Sequence, residues 1–235
     1  MTEIKPGSSS ATPDQLDYGR KKTHYQTVKT AAGYDAVRWS TYSRQWSNKR
    51  KLQAIAKAID TASSLKASIR TALDIPCGTG RIFSTLFSRS IRLTGADLSL
   101  EMMQVARKKS RGIQSLNGFI RCDAETLPFH DNQFDAVFSI RFLFHLPAEV
   151  RKRALNEMTR ISRQWVIVDY RHKYTLKYRL KRLQGVLGLS TKPYQRVSRQ
   201  DIAEDFLKAG LELVKIFPTF PLFSDKWVIL ARKIK

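Results

Sequence analysis

The chain has 235 residues, 42% hydrophobic and 10% aromatic, which suits one core and one α/β domain with short extensions. No run approaches the ~18 apolar residues of a membrane span. The opening MTEIKPGSSSATPDQ has no apolar stretch behind a basic one, so no secretory signal is expected. Lys and Arg number 42 against 20 Asp and Glu, a net charge of +22 that is unevenly spread. Ten bases and one acid, Asp35, lie between Arg20 and Lys57, and nine bases and no acid between Arg171 and Gln200. From Gly95 to Asp135 the balance is five bases to six acids. Two basic blocks around an ordinary centre imply an anionic partner: nucleic acid, a phospholipid surface or a phosphorylated molecule. The two cysteines, Cys77 and Cys122, give neither a disulfide framework nor metal spacing, so free thiols in a cytoplasmic compartment and no metal are expected.

Residues 1–18, rich in Ser, Pro, Thr and Gly, are expected to be disordered. Residues 19–69 read as a basic, helical cap or lid. There NKRKLQAIAKAI puts Leu52, Ile55, Ala56 and Ile59 on one helical face. Just before it, Tyr34, Trp39, Tyr42 and Trp46 with Arg38 and Arg44 form an aromatic, cationic set. The main domain, 70–235, begins with the strand TALDI, a glycine loop and the helix GRIFSTLF. The strand IRLTGAD follows, then the helix SLEMMQVARKK, capped by Ser99 with Glu101 in its first turn. GFIRCD and FDAVFSI are strands. PAEVRKRALNEMTRIS is a helix burying Val150, Ala154, Met158 and Ile161. After the strand WVIVDY, the basic crossover segment 171–200 carries Leu176, Leu180, Leu183 and Leu187 on one helical face. That helix either packs on the sheet or lies at a membrane interface. SRQDIAEDFLKAG is a helix with Ser198 and Asp201 in capping-box spacing and Gly210 as its stop. LELVKIF and DKWVILARK close the chain as two successive strands. The fold expected is α/β: a doubly wound, mostly parallel seven-stranded sheet with an antiparallel edge hairpin and an N-terminal helical extension.

The loop in LDIPCGTGR stands where such sheets bind ligands, beyond the carboxyl end of a central strand. A nucleotide-hydrolase loop needs Lys and then Ser or Thr after its second glycine, but Gly80 is followed by Arg81 and Ile82. A dinucleotide loop needs a small residue three positions on, and that residue is Phe83. The neighbouring acids fit something else. Asp74 ends the first strand, Asp97 the second and Asp123 the third. A carboxylate at position 97 can accept both ribose hydroxyls, and one at 123 an adenine amino group, with Leu98 and Ala124 on the ring faces. As a strand-tip group, Asp97 is expected to matter little for stability. Asp74, Gly78, Gly80, Asp97 and Asp123 together describe a nucleoside pocket without a pyrophosphate cradle.

LDIPCGTGR, LTGADLSLEMM, RCDAETLPFHDNQFDAVFSIRFLFHLP and LNEMTRISRQWVIVDY resemble the class I S-adenosylmethionine-dependent methyltransferases, closest to the generic small-molecule group. The resemblance covers about residues 70–170 and implies a Rossmann-like fold and S-adenosylmethionine as cofactor. It assigns the methionine end of the cofactor to the loop (Cys77, Gly78, Gly80), the ribose to Asp97 and the adenine to Asp123. It places Ser139 near the sulfonium. Pro76 stands where the commonest pattern has glycine, and proline removes one N–H donor.

Methyl transfer from a sulfonium needs mainly in-line placement, and a hydroxyl acceptor also needs a base. His145, Tyr170 and His172 are the candidates, His145 also matching a family histidine that is often structural. The Asn- or Asp-Pro-Pro-aromatic run of base-modifying enzymes is missing, because that position reads SIRFLFHL. The preferred reading is therefore a small-molecule or lipid acceptor, with peripheral contact to an anionic membrane. The alternatives are an RNA or protein methyltransferase docking through the basic flanks, and a non-catalytic cofactor-binding module. A nicotinamide oxidoreductase is the most distant reading, weakened by Phe83.

Overall fold

Strands covered on both faces read as apolar runs rather than alternation. β1 (Thr71–Asp74), β2 (Arg92–Asp97), β4 (Phe134–Ser139) and β5 (Ser162–Arg171) are of this kind and are buried almost throughout. With β3 (Leu116–Arg121), β6 (Leu211–Pro218) and β7 (Lys226–Lys233) they form one sheet in the order β3-β2-β1-β4-β5-β7-β6. The computed structural model describes residue 35 and residues 40–65, 68–175, 197–220 and 224–234. β1 to β5 pair in parallel, and β7 runs antiparallel to both β5 and β6. Strand order reverses between β1 and β4, so the cleft opens above their carboxyl ends.

Among the described residues five helices cover the sheet: α1 (Tyr42–Ser64), α2 (Phe83–Phe87), α3 (Leu100–Lys109), α4 (Ala148–Ile161) and α5 (Arg199–Lys208). One core lies under α4 and α5, around Leu155, Met158, Tyr170 and Phe206. The other lies under α1, α2 and α3, around Ile55, Phe83, Met103 and Trp165. Local signals set several ends. Ser99 accepts from Met102 N–H, and Ser198 and Asp201 form the full capping box. Gly210, at φ 73°, follows α5.

Other boundaries differ from the sequence reading. α2 has only five residues, because Gly80 at φ 76° keeps the chain turning before Phe83. α4 passes into β5 without a loop. α1 is more than a cover: Ala54, Ala58 and Ala62 join Ile55 and Ile59 in the core, while Leu52 and Ala56 are half-buried. Alanines on that face let the helix lie close to the sheet.

At the opposite end of the central strands, Asp135 ties three strands together. Its carboxylate accepts from the N–H groups of Arg70 (3.0 Å) and Thr71 (2.9 Å), from Thr71 Oγ1 (3.0 Å) and from Arg163 (2.9 Å). The leucine stripe, the tail 1–18 expected to be disordered, Tyr34, Arg38 and Trp39 lie outside the described residues. Among the described residues no helix is long and apolar enough to cross a membrane.

Candidate functional site

The two glycines of the loop have different reasons. A Cβ on Gly80 would stand 2.9 Å from the Phe83 ring and 3.3 Å from Ala106. Phe83 therefore takes the volume a third small residue would have left open, and packs on Phe87 and Phe119. Gly78, at φ 53°, meets nothing within 4 Å: its open side faces the cleft. The loop is moored by Ile75 N–H to Phe138 O (2.9 Å) and Cys77 N–H to Ala96 O (2.7 Å).

Asp97 shapes this loop as well as facing the cleft. Its carboxylate accepts from Gly78 N–H at 2.7 Å and from Ser99 N–H at 2.9 Å. Burial raises its pKa, against the pull of the Ser99, Gly78 and Leu98 amides. A carboxylate has about four lone-pair directions, so capacity for a ligand hydroxyl remains. The expectation that Asp97 contributes little to stability is thus corrected. Asp123, at the tip of β3, accepts from Glu125 N–H (3.1 Å). Asp74 is buried, and burial together with Asp97 pushes its carboxyl well above the usual range.

Cys77, Gly78, Asp97, Leu98, Asp123 and Ala124 line one cavity of about 240 Å³, and His145 stands in the same wall. Asp74, Gly80 and Ser139 are not part of the lining. Ser139 is fully buried, and its Oγ has no partner among the described residues. Burial pushes the Cys77 thiol well up and the Cys122 thiol up to about 11, so neither is a nucleophile near neutral pH. A larger, more open groove of about 440 Å³ runs between α1 and α2, but it contains no acid from a strand end.

The general-base role expected of His172 does not fit its position. Its ring stacks on Trp227 at 4.0 Å, outside the cavity lining. Nδ1 accepts from Tyr174 N–H (3.2 Å), which leaves the proton on Nε2 to donate to Ser224 O (3.0 Å). Alternation along β5 sends Asp169 and Arg171 to one face and Tyr170 and His172 to the other. Tyr170 is fully buried against Phe206, and burial raises its pKa, so it is not a base either.

Several site residues escaped the sequence reading. Asp35 reaches over the loop, accepting from Thr79 Oγ1 (3.1 Å) and pairing with Lys109. As the sole acid among ten bases, it carried a signal that could have found it. Lys51 of α1 forms a buried ion pair with Asp169, whose other oxygen accepts from Arg141 N–H beside the cavity.

Residues 73–165 match the family model described as Methyltransferase domain. The ubiquinone/menaquinone biosynthesis C-methyltransferase UbiE of Pseudomonas paraeruginosa is 39% identical over 87 residues, 34% of this chain and 34% of that protein. The chain spans about a third of the length of the curated relatives it matches. Magnesium protoporphyrin IX methyltransferase (ChlM) of Synechocystis PCC 6803, solved with bound S-adenosylhomocysteine, superposes with a TM-score of 0.69. The two are 18% identical, over 90% of this chain and 99% of that one. The 1,6-didemethyltoxoflavin-N1-methyltransferase of Burkholderia thailandensis gives 0.63 at 16% identity, over 98% and 94%. Sheet order, loop and matched segment agree: residues 73–165 match a methyltransferase domain, and the chain has the fold of these solved methyltransferases.

Proposed function

We propose that this protein methylates a small-molecule acceptor, using S-adenosylmethionine held between the glycine loop and the tips of β2 and β3. One observation carries the reading. Acids from two successive strand tips face a single cavity at the switch in strand order, while Phe83 fills the volume a pyrophosphate loop would leave open. The names of the relatives support the acceptor class, since quinone, porphyrin and toxoflavin are small molecules.

The roles divide by position. Asp97 takes the ribose hydroxyls, Asp123 the adenine amino group, and Leu98 and Ala124 the faces of the ring. Cys77 and Gly78 face the methionine end. Bound there, the cofactor supplies a methyl group already activated by a positively charged sulfur. The chain then has to align the acceptor and exclude water. Ile140, Phe142 and Leu146 give the acceptor side an apolar wall, and His145 in that wall receives the proton of a hydroxyl acceptor.

Calorimetry tests the cofactor half: S-adenosylhomocysteine binds, and NAD and ATP do not. Tighter binding of NAD would overturn it. Labelled S-adenosylmethionine incubated with fractionated metabolite, lipid, RNA and protein pools tests the acceptor half. Label is expected in the metabolite or lipid pool. Label confined to RNA or protein would replace the small-molecule reading with docking through the basic segments.

A further inference from the structure

One turn of α1 gathers cations from two distant parts of the chain and adds one of its own. Ser47 Oγ accepts from Lys226 Nζ at 2.7 Å, Asn48 Oδ1 accepts from Arg81 Nε at 2.7 Å, and Lys51 pairs with Asp169. Arg171 is the register partner of Lys226 on the adjacent strand and so shares its face. Its guanidinium lies over the Phe144 ring at 5.1 Å, in the turn Leu143–His145. Its Nη1 is 3.8 Å from Asp225, and its Nε is buried with no partner among the described residues.

Among the described residues four cations thus converge with two carboxylates, Asp169 and Asp225. Asp169 is already committed to Lys51 and the Arg141 amide. Asp74, the next acid near Arg81, is held toward its neutral form by burial. The crowding is visible in Lys226, whose pKa is brought down to about 8 by burial and by Lys51, against the pull of Asp225. Like charges held together away from water are relieved by an anion. The set adjoins the cleft: Arg81 lines the cavity that contains His145, and Arg171 lies over Phe144, whose ring packs on His145 at 4.3 Å.

We propose that Lys226, Arg171 and Arg81 hold an anionic group, a carboxylate or a phosphate, of the methyl acceptor. The inference rests on the function proposed above and names the acceptor's chemistry. The acidic half of the cleft takes hydroxyls and an amino group; the cationic half takes the acceptor's charge and turns its reactive atom toward the loop.

Phenyl phosphate, benzoate and benzyl alcohol are the probes, titrated into the full chain with and without saturating S-adenosylhomocysteine. At least one anion binds the loaded protein and the neutral alcohol does not. Whichever anion binds tighter separates phosphate from carboxylate. Lys226→Met and Arg171→Gln each weaken that binding on the order of ten-fold, the scale of one charge-assisted hydrogen bond. Both keep the affinity for S-adenosylhomocysteine, and Lys226→Arg restores anion binding. Equal binding of the alcohol, or anion binding indifferent to these substitutions, overturns the proposal. So does displacement of the anion by S-adenosylhomocysteine, which would assign the cations to the cofactor's own carboxylate. Failure of S-adenosylhomocysteine to bind at all defeats the proposed function instead, and the anion titration without it still decides the site.

Discussion

The two halves of the cleft are built with opposite charges and by different means. On the β1–β3 side a buried carboxylate accepts backbone N–H groups: Asp97 holds Gly78 and Ser99, and the loop takes its shape around it. On the β5–β7 side cations tie α1 to the strands: Lys51 of α1 to Asp169 across 118 residues, and Lys226 to Ser47 of α1 across 179. The first half needs only a strand, a turn and the next strand to exist. The second needs a helix docked on the sheet before any of its charges has a partner. The acidic half is therefore a local device and the cationic half a tertiary one.

The sharpest way to break this contrast is to remove the keystone of the cationic half. Lys51→Ala leaves Asp169 buried and uncompensated and should destabilise the fold by about 3–5 kcal/mol in urea unfolding. Replacing both partners, as Lys51→Met with Asp169→Leu, should recover much of that loss, because no buried charge is then orphaned. A single substitution that unfolds like the parent would show that α1 docks without the pair.

Asp97→Ala probes the acidic half and should act on two observables at once. S-adenosylhomocysteine binding should weaken by about 2–3 kcal/mol, the scale of charge-assisted hydrogen bonds. Stability should also fall, by about 1–3 kcal/mol, since the Gly78 and Ser99 amides lose their acceptor. Calorimetry and unfolding on the same sample separate the two. Loss of binding alone would make Asp97 a ligand contact with no part in shaping the loop.

The smallest effect is expected at the far end of the central strands, where Asp135 belongs to neither half. Burial works against its charge, but hydrogen bonds from Arg163, Thr71 and Arg70 hold its pKa below the usual carboxylate range. A lowered folded pKa means stability that is present above the unfolded pKa and lost as pH falls through the folded one. Asp135→Asn should therefore cost about 1 kcal/mol at pH 7. The gap to the parent should close once the pH drops below the carboxylate range. A gap that persists at low pH would locate the effect in the shape of the side chain.

What could be read from the sequence follows the same division. Ser99, the Ser198–Asp201 box, the glycine loop and the strand-tip acids are signals whose parts lie within a few residues or one strand–turn–helix unit. Lys51 could not be read this way. Only the docked position of α1, with Ala54 and Ile55 against the sheet, distinguishes it from a solvated lysine. His172 failed for a related reason. Proximity to the carboxyl end of β5 was legible, but its face of the sheet was set by the pairing with β7 that places Trp227 beside it.

The clasp between α1 and β7 also bears on the order in which the protein is made. A chain synthesised as far as Arg171 has already delivered the glycine loop, Asp97, Asp123 and His145. Yet the strand that gives α1 much of its seat, Lys226–Lys233, is still to come. On the ribosome the acidic half can settle while α1 waits. The charged turn of Ser47, Asn48 and Lys51 can complete its grip only once β7 has emerged.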